Sequence, residues 1–204
     1  MEIEIIKDKT FYVIDMGSRY IKQLCNSLIN MGYYIRVLAW YDPYISPDFD
    51  RNIDYVNGVI LSGSPSNIIP HTKFPVIGDY LLHQDKIPVL GICYGMQIIN
   101  HTLGGWVVKN KKSETGAVKL NLIEESKLYD GIDLTQTPFA GKIWMHHDYV
   151  VDHIPPGFKI TSSTKLSPIA SYEKNNIYGV QYHPELKTNM GQQILHNFCE
   201  KICK

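Results

Sequence analysis

Cysteine is scarce in this 204-residue chain. Its four cysteines, Cys25, Cys93, Cys199 and Cys203, form neither the framework of a disulfide-rich secreted domain nor two short paired spacings suited to zinc. A reducing, cytoplasmic setting is the simpler expectation. Cys199 and Cys203 stand one helical turn apart, but no second ligand pair accompanies them, so no bound metal is expected. Net charge is also lacking: twenty basic residues balance twenty acidic ones. No overall field then draws the molecule to nucleic acid or to an anionic membrane, and the expected substrate is small. Long apolar runs are missing as well. Met1 to Lys9 alternate apolar and charged positions, so neither a signal peptide nor a transmembrane helix is expected. No repeat, low-complexity stretch or shift in composition marks a second domain, and residues 1–204 read as one. Apolar residues, by contrast, make up 44 % of the chain, enough for a sizeable buried core.

In the first half, strand-like apolar runs alternate with helix-like segments, the pattern of a mostly parallel sheet covered by helices on both faces. Strands are expected at Phe11 to Asp15, Tyr34 to Ala39, Gly58 to Leu61 and Val89 to Ile92. Helices are expected at Tyr20 to Met31, stopped by Gly32, at Pro75 to Gln84, and at Tyr94 to Leu103, closed by Gly104-Gly105. Beyond Gly105 the texture turns to short β-rich pieces around Lys119 to Ile123, Lys142 to Met145, Ile169 to Tyr172 and Tyr178 to Tyr182, which predicts a small mixed or antiparallel extension. Apolar residues at Met190, Ile194, Leu195, Phe198 and Ile202 predict a closing helix over Asn189 to Ile202.

The chemistry concentrates at three turns. Gly91-Ile92-Cys93-Tyr94-Gly95 puts a cysteine between two glycines where an apolar strand becomes a helix, the logic of a nucleophile elbow. Glycines let the neighbouring elements approach a sharply turned nucleophile, and the helix N-terminus favours the thiolate. Taken alone, the motif is equally compatible with a buried core cysteine. His183-Pro184-Glu185 follows the strand ending at Tyr182, at the edge where a parallel sheet exposes its active site. His183 can accept the thiol proton and Glu185 can orient the imidazole, although the tripeptide alone reads as a surface turn. The turn Leu61-Ser62-Gly63-Ser64-Pro65 ends another apolar strand. The amides of Gly63 and Tyr94 could together stabilise an oxyanion, worth roughly 3 kcal/mol per donor.

In this order the three pieces resemble the class I glutamine amidotransferases, whose fold is flavodoxin-like and whose Cys-His-Glu triad matches Cys93, His183 and Glu185. Within that family the chain is most similar to the glutaminase domain or subunit of GMP synthetase. The matching segments are Asp15-Met16-Gly17-Ser18-Arg19-Tyr20, Gly91 to Gln97, Ile143-Trp144-Met145, Pro155-Pro156-Gly157-Phe158 and Tyr178 to Glu185. Tyr94-Gly95-Met96-Gln97 is the discriminating part, because related glutaminases usually carry Leu after the cysteine. The resemblance implies that L-glutamine is hydrolysed through a glutamyl thioester. The ammonia would pass to an ATP-pyrophosphatase domain or subunit that aminates XMP to GMP. It also implies substrate contacts from Gln97 and from the segment His146, His147, Asp148 and Tyr149, where the family usually has Ser-His-Gly-Asp. Glu114-Thr115-Gly116 stands where the family has Glu-Phe-Gly. No cofactor is implied for this chain, and ATP and Mg²⁺ are expected only with the synthetase partner. Two other functions remain open from the residues: a stand-alone hydrolase of γ-glutamyl amides, and a catalytically weak regulatory subunit that binds glutamine.

Overall fold

A computed structural model describes residues 8–41, 53–66, 78, 85–133, 141–186 and 188–203. Apolar runs without polar alternation are expected to be covered on both faces, and here they form the centre of an eight-stranded sheet. In chain order the sheet strands are β1 (Thr10–Asp15), β2 (Tyr34–Ala39), β3 (Gly58–Leu61), β4 (Val89–Ile92), β6 (Asn121–Leu122), β8 (Lys159–Ser163), β9 (Ser171–Lys174) and β10 (Ile177–Val180). The remaining strands, β5 (Trp106–Lys119) and β7 (Lys142–His153), pair separately. The spatial order is β2-β1-β3-β4-β10-β9-β8-β6. Strands β2 through β10 run parallel, and β9, β8 and β6 continue the sheet antiparallel.

Alternate residues of each central strand enter two different cores. Phe11, Val13, Ile60, Leu90 and Ile92 face a cluster that includes Leu24 and Leu28 of α1 (Ile21–Asn30). The same cluster takes Ile194 and Leu195 of α3 (Asn189–Asn197). Tyr12, Ile14, Val59, Leu61 and Val89 face Met96, Ile98 and Ile99 of α2 (Tyr94–Thr102). Helices thus cover both faces, as the sequence predicts. Gly32, in the left-handed region at φ 88°, follows α1 and stops it. Thr188 caps α3, its hydroxyl accepting from the Gly191 amide at 3.0 Å.

The second half departs from the short pieces expected there. Strands β5 and β7 are 14 and 12 residues long and pair antiparallel as a ribbon outside the main sheet. Most of β5 is exposed and polar, and a register shift between Lys109 and Glu114 breaks its alternation, so it carries no period-two apolar signal. Strand β8 was not anticipated, and the expected Ile169 to Tyr172 strand begins later, at Ser171. The closing helix is continuous but changes pitch. After α3, residues Phe198–Ile202 take the wider i to i+5 spacing, with the Cys203 amide donating to the Phe198 carbonyl at 3.0 Å. The helix expected over Pro75 to Gln84 lies, apart from Gly78, outside the described residues.

Candidate active site

Three adjacent parallel strands deliver the three expected turns to one edge of the sheet. Gly63 lies just beyond β3, Cys93 directly follows β4, and His183 lies just beyond β10, with Leu61 in register with Gly91 and Val180 with Ile92. Carboxyl ends of parallel strands are where open α/β sheets place their sites. At Cys93 the backbone takes φ 52° and ψ −104°, a conformation that L side chains rarely adopt. It is held there by its own amide, which donates to Val180 O at 2.7 Å, and by its carbonyl, which accepts from the Gln97 amide at 3.1 Å. The flanking glycines allow the close approach. A methyl on Gly95 would come 2.4 Å from the Leu61 carbonyl oxygen, and one on Gly91 would come 2.6 Å from the Met96 nitrogen.

His183 and Glu185 are both buried, and Nδ1 of the imidazole lies 2.8 Å from Glu185 Oε1. The other carboxylate oxygen, Oε2, is buried without a partner among the described residues. Burial alone would pull the imidazole pKa down. The negative charge of Glu185, reinforced by Cys93 and by hydrogen bonds to both, outweighs it and lifts His183 well above the ordinary histidine value. The His183 amide donates to the Trp144 carbonyl of β7 at 2.8 Å, which ties the ribbon to the sheet edge. Gly63 closes the group: a methyl there would sit 3.1 Å from the His183 ring and 3.6 Å from Cys93 Cβ. Tyr94 opens α2, so its N–H is one of the first-turn amides that lack an intrahelical acceptor.

A cleft of about 400 Å³ opens onto Cys93 and His183, a size suited to a small molecule. Gln97, His146, His147, Asp148 and Tyr149 all line it, in company with Ser18, Arg19 and Tyr20. Their side chains are engaged differently. Gln97 Nε2 donates to Tyr149 O at 2.8 Å and to Gln181 Oε1 at 3.1 Å, so its amide hydrogens are used inside the protein. His146 presents its carbonyl 4.0 Å from Cys93 Sγ, while its ring Nδ1 meets the Tyr20 hydroxyl at 2.6 Å. Burial first, then the charges of His183 and Arg19, hold the His146 pKa below the ordinary value. His147 is buried with Nε2 3.3 Å from Glu114 Oε2, and Asp148 accepts a short hydrogen bond from Ser113.

Two groups at this site were not anticipated as such. Gln181 is fully buried and aims Nε2 at Cys93 Sγ, 3.6 Å away. Its signal was available, since an amide inside the apolar strand Tyr178 to Tyr182 needs a partner. Glu114 is the other. Its carboxylate accepts from Thr164 and Ser167 at 2.7 Å each and faces His147. Burial would raise its pKa, but hydrogen bonding with His147, Thr164 and Ser167, together with the His147 charge, holds it below the ordinary glutamate value.

A family model described as glutamine amidotransferase class-I matches residues 12–202. The chain belongs to that family. As a class-I glutamine amidotransferase it resembles a glutamine-hydrolysing GMP synthase of Thermosipho melanesiensis, with 37 % identity over 96 % of the chain and 36 % of the relative. A GMP synthase of Petrotoga mobilis is 39 % identical over 94 % of the chain, again 36 % of the relative. The amidotransferase chain therefore spans about a third of the length of these curated relatives. Among solved structures, a candidate GMP synthase subunit from Thermoplasma acidophilum superimposes with a TM-score of 0.79 at 25 % identity. That likeness covers 97 % of this chain and 94 % of the other.

Proposed function

We propose that this amidotransferase hydrolyses the side-chain amide of L-glutamine to glutamate and ammonia, and that the ammonia serves a synthetase that converts XMP to GMP. The observation that carries the reading is the meeting of Cys93, on its strained turn, with the buried His183–Glu185 pair at adjacent strand ends. Support for the acceptor comes from the GMP synthase relatives together with the Tyr94-Gly95-Met96-Gln97 loop.

In the proposed reaction His183 takes the Cys93 thiol proton and the thiolate attacks the carboxamide carbon, forming the C–S bond. The oxyanion forms against the amides of Gly63 and Tyr94. As the tetrahedral species collapses, the C–N bond breaks, the imidazolium donates its proton to the leaving nitrogen, and ammonia departs. Water, deprotonated by His183, then cleaves the glutamyl thioester. Glutamate is released and the proton returns to Cys93 sulfur. Glu185 holds the imidazole and stabilises its charged form. Gln181 donates toward the sulfur, which suits a negative nucleophile. Arg19 and Asp148, of opposite sign and both on the cleft wall, suit the α-carboxylate and α-ammonium of glutamine. Thiolate, imidazole, carboxylate and backbone amides supply every step, and ATP and Mg²⁺ enter only with the partner's reaction.

Glutamate release from glutamine, measured alone and with an XMP-aminating synthetase, ATP and XMP, tests the reading. Ammonia should appear in GMP when the partner is present, and Cys93→Ala should abolish it. Full activity in Cys93→Ala, or indifference to the synthetase and XMP, would overturn the respective half.

A further inference from the structure

An imidazole that shuttles a proton must keep its ring plane, and one hydrogen bond does not fix a plane. The Nδ1 contact with Glu185 still allows His183 to swing about that axis. Gly63 lies beside ring carbon Cε1, but without a side chain it offers no wall there; only an added methyl would come within 3.1 Å. A side chain that does flank the ring is Tyr20, which packs against the imidazole in a T-shaped arrangement with centroids 4.9 Å apart and planes at 75°. Tyr20 is half-buried and precedes α1, so on its own it would sample several rotamers. Its hydroxyl is instead pinned 2.6 Å from His146 Nδ1, on the ribbon strand β7.

Local sequence logic gives no reason for a tyrosine here. Tyr20 is the N-cap of α1, a place where Ser, Thr, Asp or Asn would accept from the first-turn amides, and its side chain makes no such bond. A residue that breaks a local rule at a cleft is expected to serve the site. We propose that Tyr20 is a positioning residue for His183, and that the His146 imidazole is the anchor that keeps Tyr20 in place. In the neutral tautomer that leaves Nδ1 unprotonated, its lone pair accepts the hydroxyl proton, and with Nδ1 protonated the ring N–H donates to the phenol oxygen, so the contact is available in either form. Burial first, then the charges of His183, Arg19 and His147, favour the neutral ring, and Asp148 opposes them. The inference rests on the reading of His183 as the proton carrier.

The experiment is a double-mutant cycle on the full chain with two readouts. The first is kcat and KM for glutamine hydrolysis. The second is exchange of the His183 Nδ1 proton with water, followed by NMR of ¹⁵N-histidine-labelled protein. Tyr20→Phe keeps the ring and loses the pin, and His146→Ala removes the anchor. Each should lower kcat and speed proton exchange by about tenfold, with KM little changed in Tyr20→Phe, and in kcat and exchange the double variant should be no worse than either alone. His146→Asn, whose side-chain oxygen can accept in place of Nδ1, should recover most of both readouts. Additive losses, a change in KM alone, or exchange and kcat equal to wild type in Tyr20→Phe would overturn the inference. If the cycle appears in proton exchange while neither wild type nor any variant hydrolyses glutamine even with an XMP-aminating synthetase, ATP and XMP, the bridge stands and the functional reading falls. If Cys93→Ala abolishes hydrolysis while Tyr20→Phe is indifferent, the reverse holds.

Discussion

In the proposed reaction Cys93 and Glu185 act through single atoms, so their replacement separates chemistry from folding. Cys93→Ala removes one sulfur at a position whose backbone is fixed by the Val180 and Gln97 hydrogen bonds, both of which survive the change. Glutamate release should fall at least about a thousandfold while the thermal midpoint stays near that of wild type, checked by parallel kinetics and calorimetry. Glu185→Gln keeps the shape and a hydrogen-bond acceptor but deletes the charge that lifts the His183 pKa. By analogy with other oriented imidazoles, kcat should drop by roughly 10²- to 10⁴-fold with KM nearly constant. A Glu185→Gln enzyme within twofold of wild type would show that the carboxylate does not hold the working imidazole.

At the scale of elements, the site depends on α2 lying almost against β3. The approach is set by Gly95, where a methyl group would fall 2.4 Å from the Leu61 carbonyl oxygen. That neighbour is backbone and cannot rotate away. Gly95→Ala should therefore destabilise the protein by about 3 kcal/mol or more, seen as a lowered denaturant midpoint, and should also displace Cys93. The ribbon of β5 and β7 is fixed from the other side by the Glu114 cluster. Because the folded Glu114 pKa lies below its unfolded value, its contribution is present above the unfolded glutamate pKa and is lost as pH falls through the folded one. The stability gap between wild type and Glu114→Gln should then be largest above about pH 5 and close on acidification. Chemical denaturation across that range measures it, and a gap independent of pH would contradict the assignment.

Over the whole molecule, the segment before β1 is tied to the closing helix. Lys9 Nζ donates to the carbonyls of Cys199 and Cys203 at 2.9 and 2.8 Å and pairs with Glu200 at 3.2 Å. Tyr33 adds a bond to the same glutamate at 2.7 Å. A cation on terminal helix carbonyls satisfies groups that have no intrahelical donor. Lys9→Met should cost about 1–2 kcal/mol and lower the melting midpoint by roughly 3–6 °C, with glutamine kinetics unchanged because the cluster lies outside the cleft lining.

How much of this was legible in the chain differs from part to part. The parallel half of the sheet was, because strands covered on both faces must be continuously apolar and their bounding turns need glycine. Gly91, Gly95 and the strand before Gly63 wrote their geometry into residue type. His183 and Glu185 could be placed at a strand end by the same reading. The ribbon was not legible: β5 is polar and largely exposed, broken by a register shift, and held by backbone pairing to β7, which any sequence can supply. Which side chains meet around Cys93, His183 and Glu185 was equally hidden, even where a residue such as Gln181 showed that it needs some partner. Tyr20 and His146 stand 126 positions apart, and Gln181 and Cys93 88 apart. Local pattern determined which strands and turns exist and which residue could be the nucleophile. Only the packed structure decided what each cleft residue touches, because those contacts join segments whose sequences impose no periodic constraint on one another.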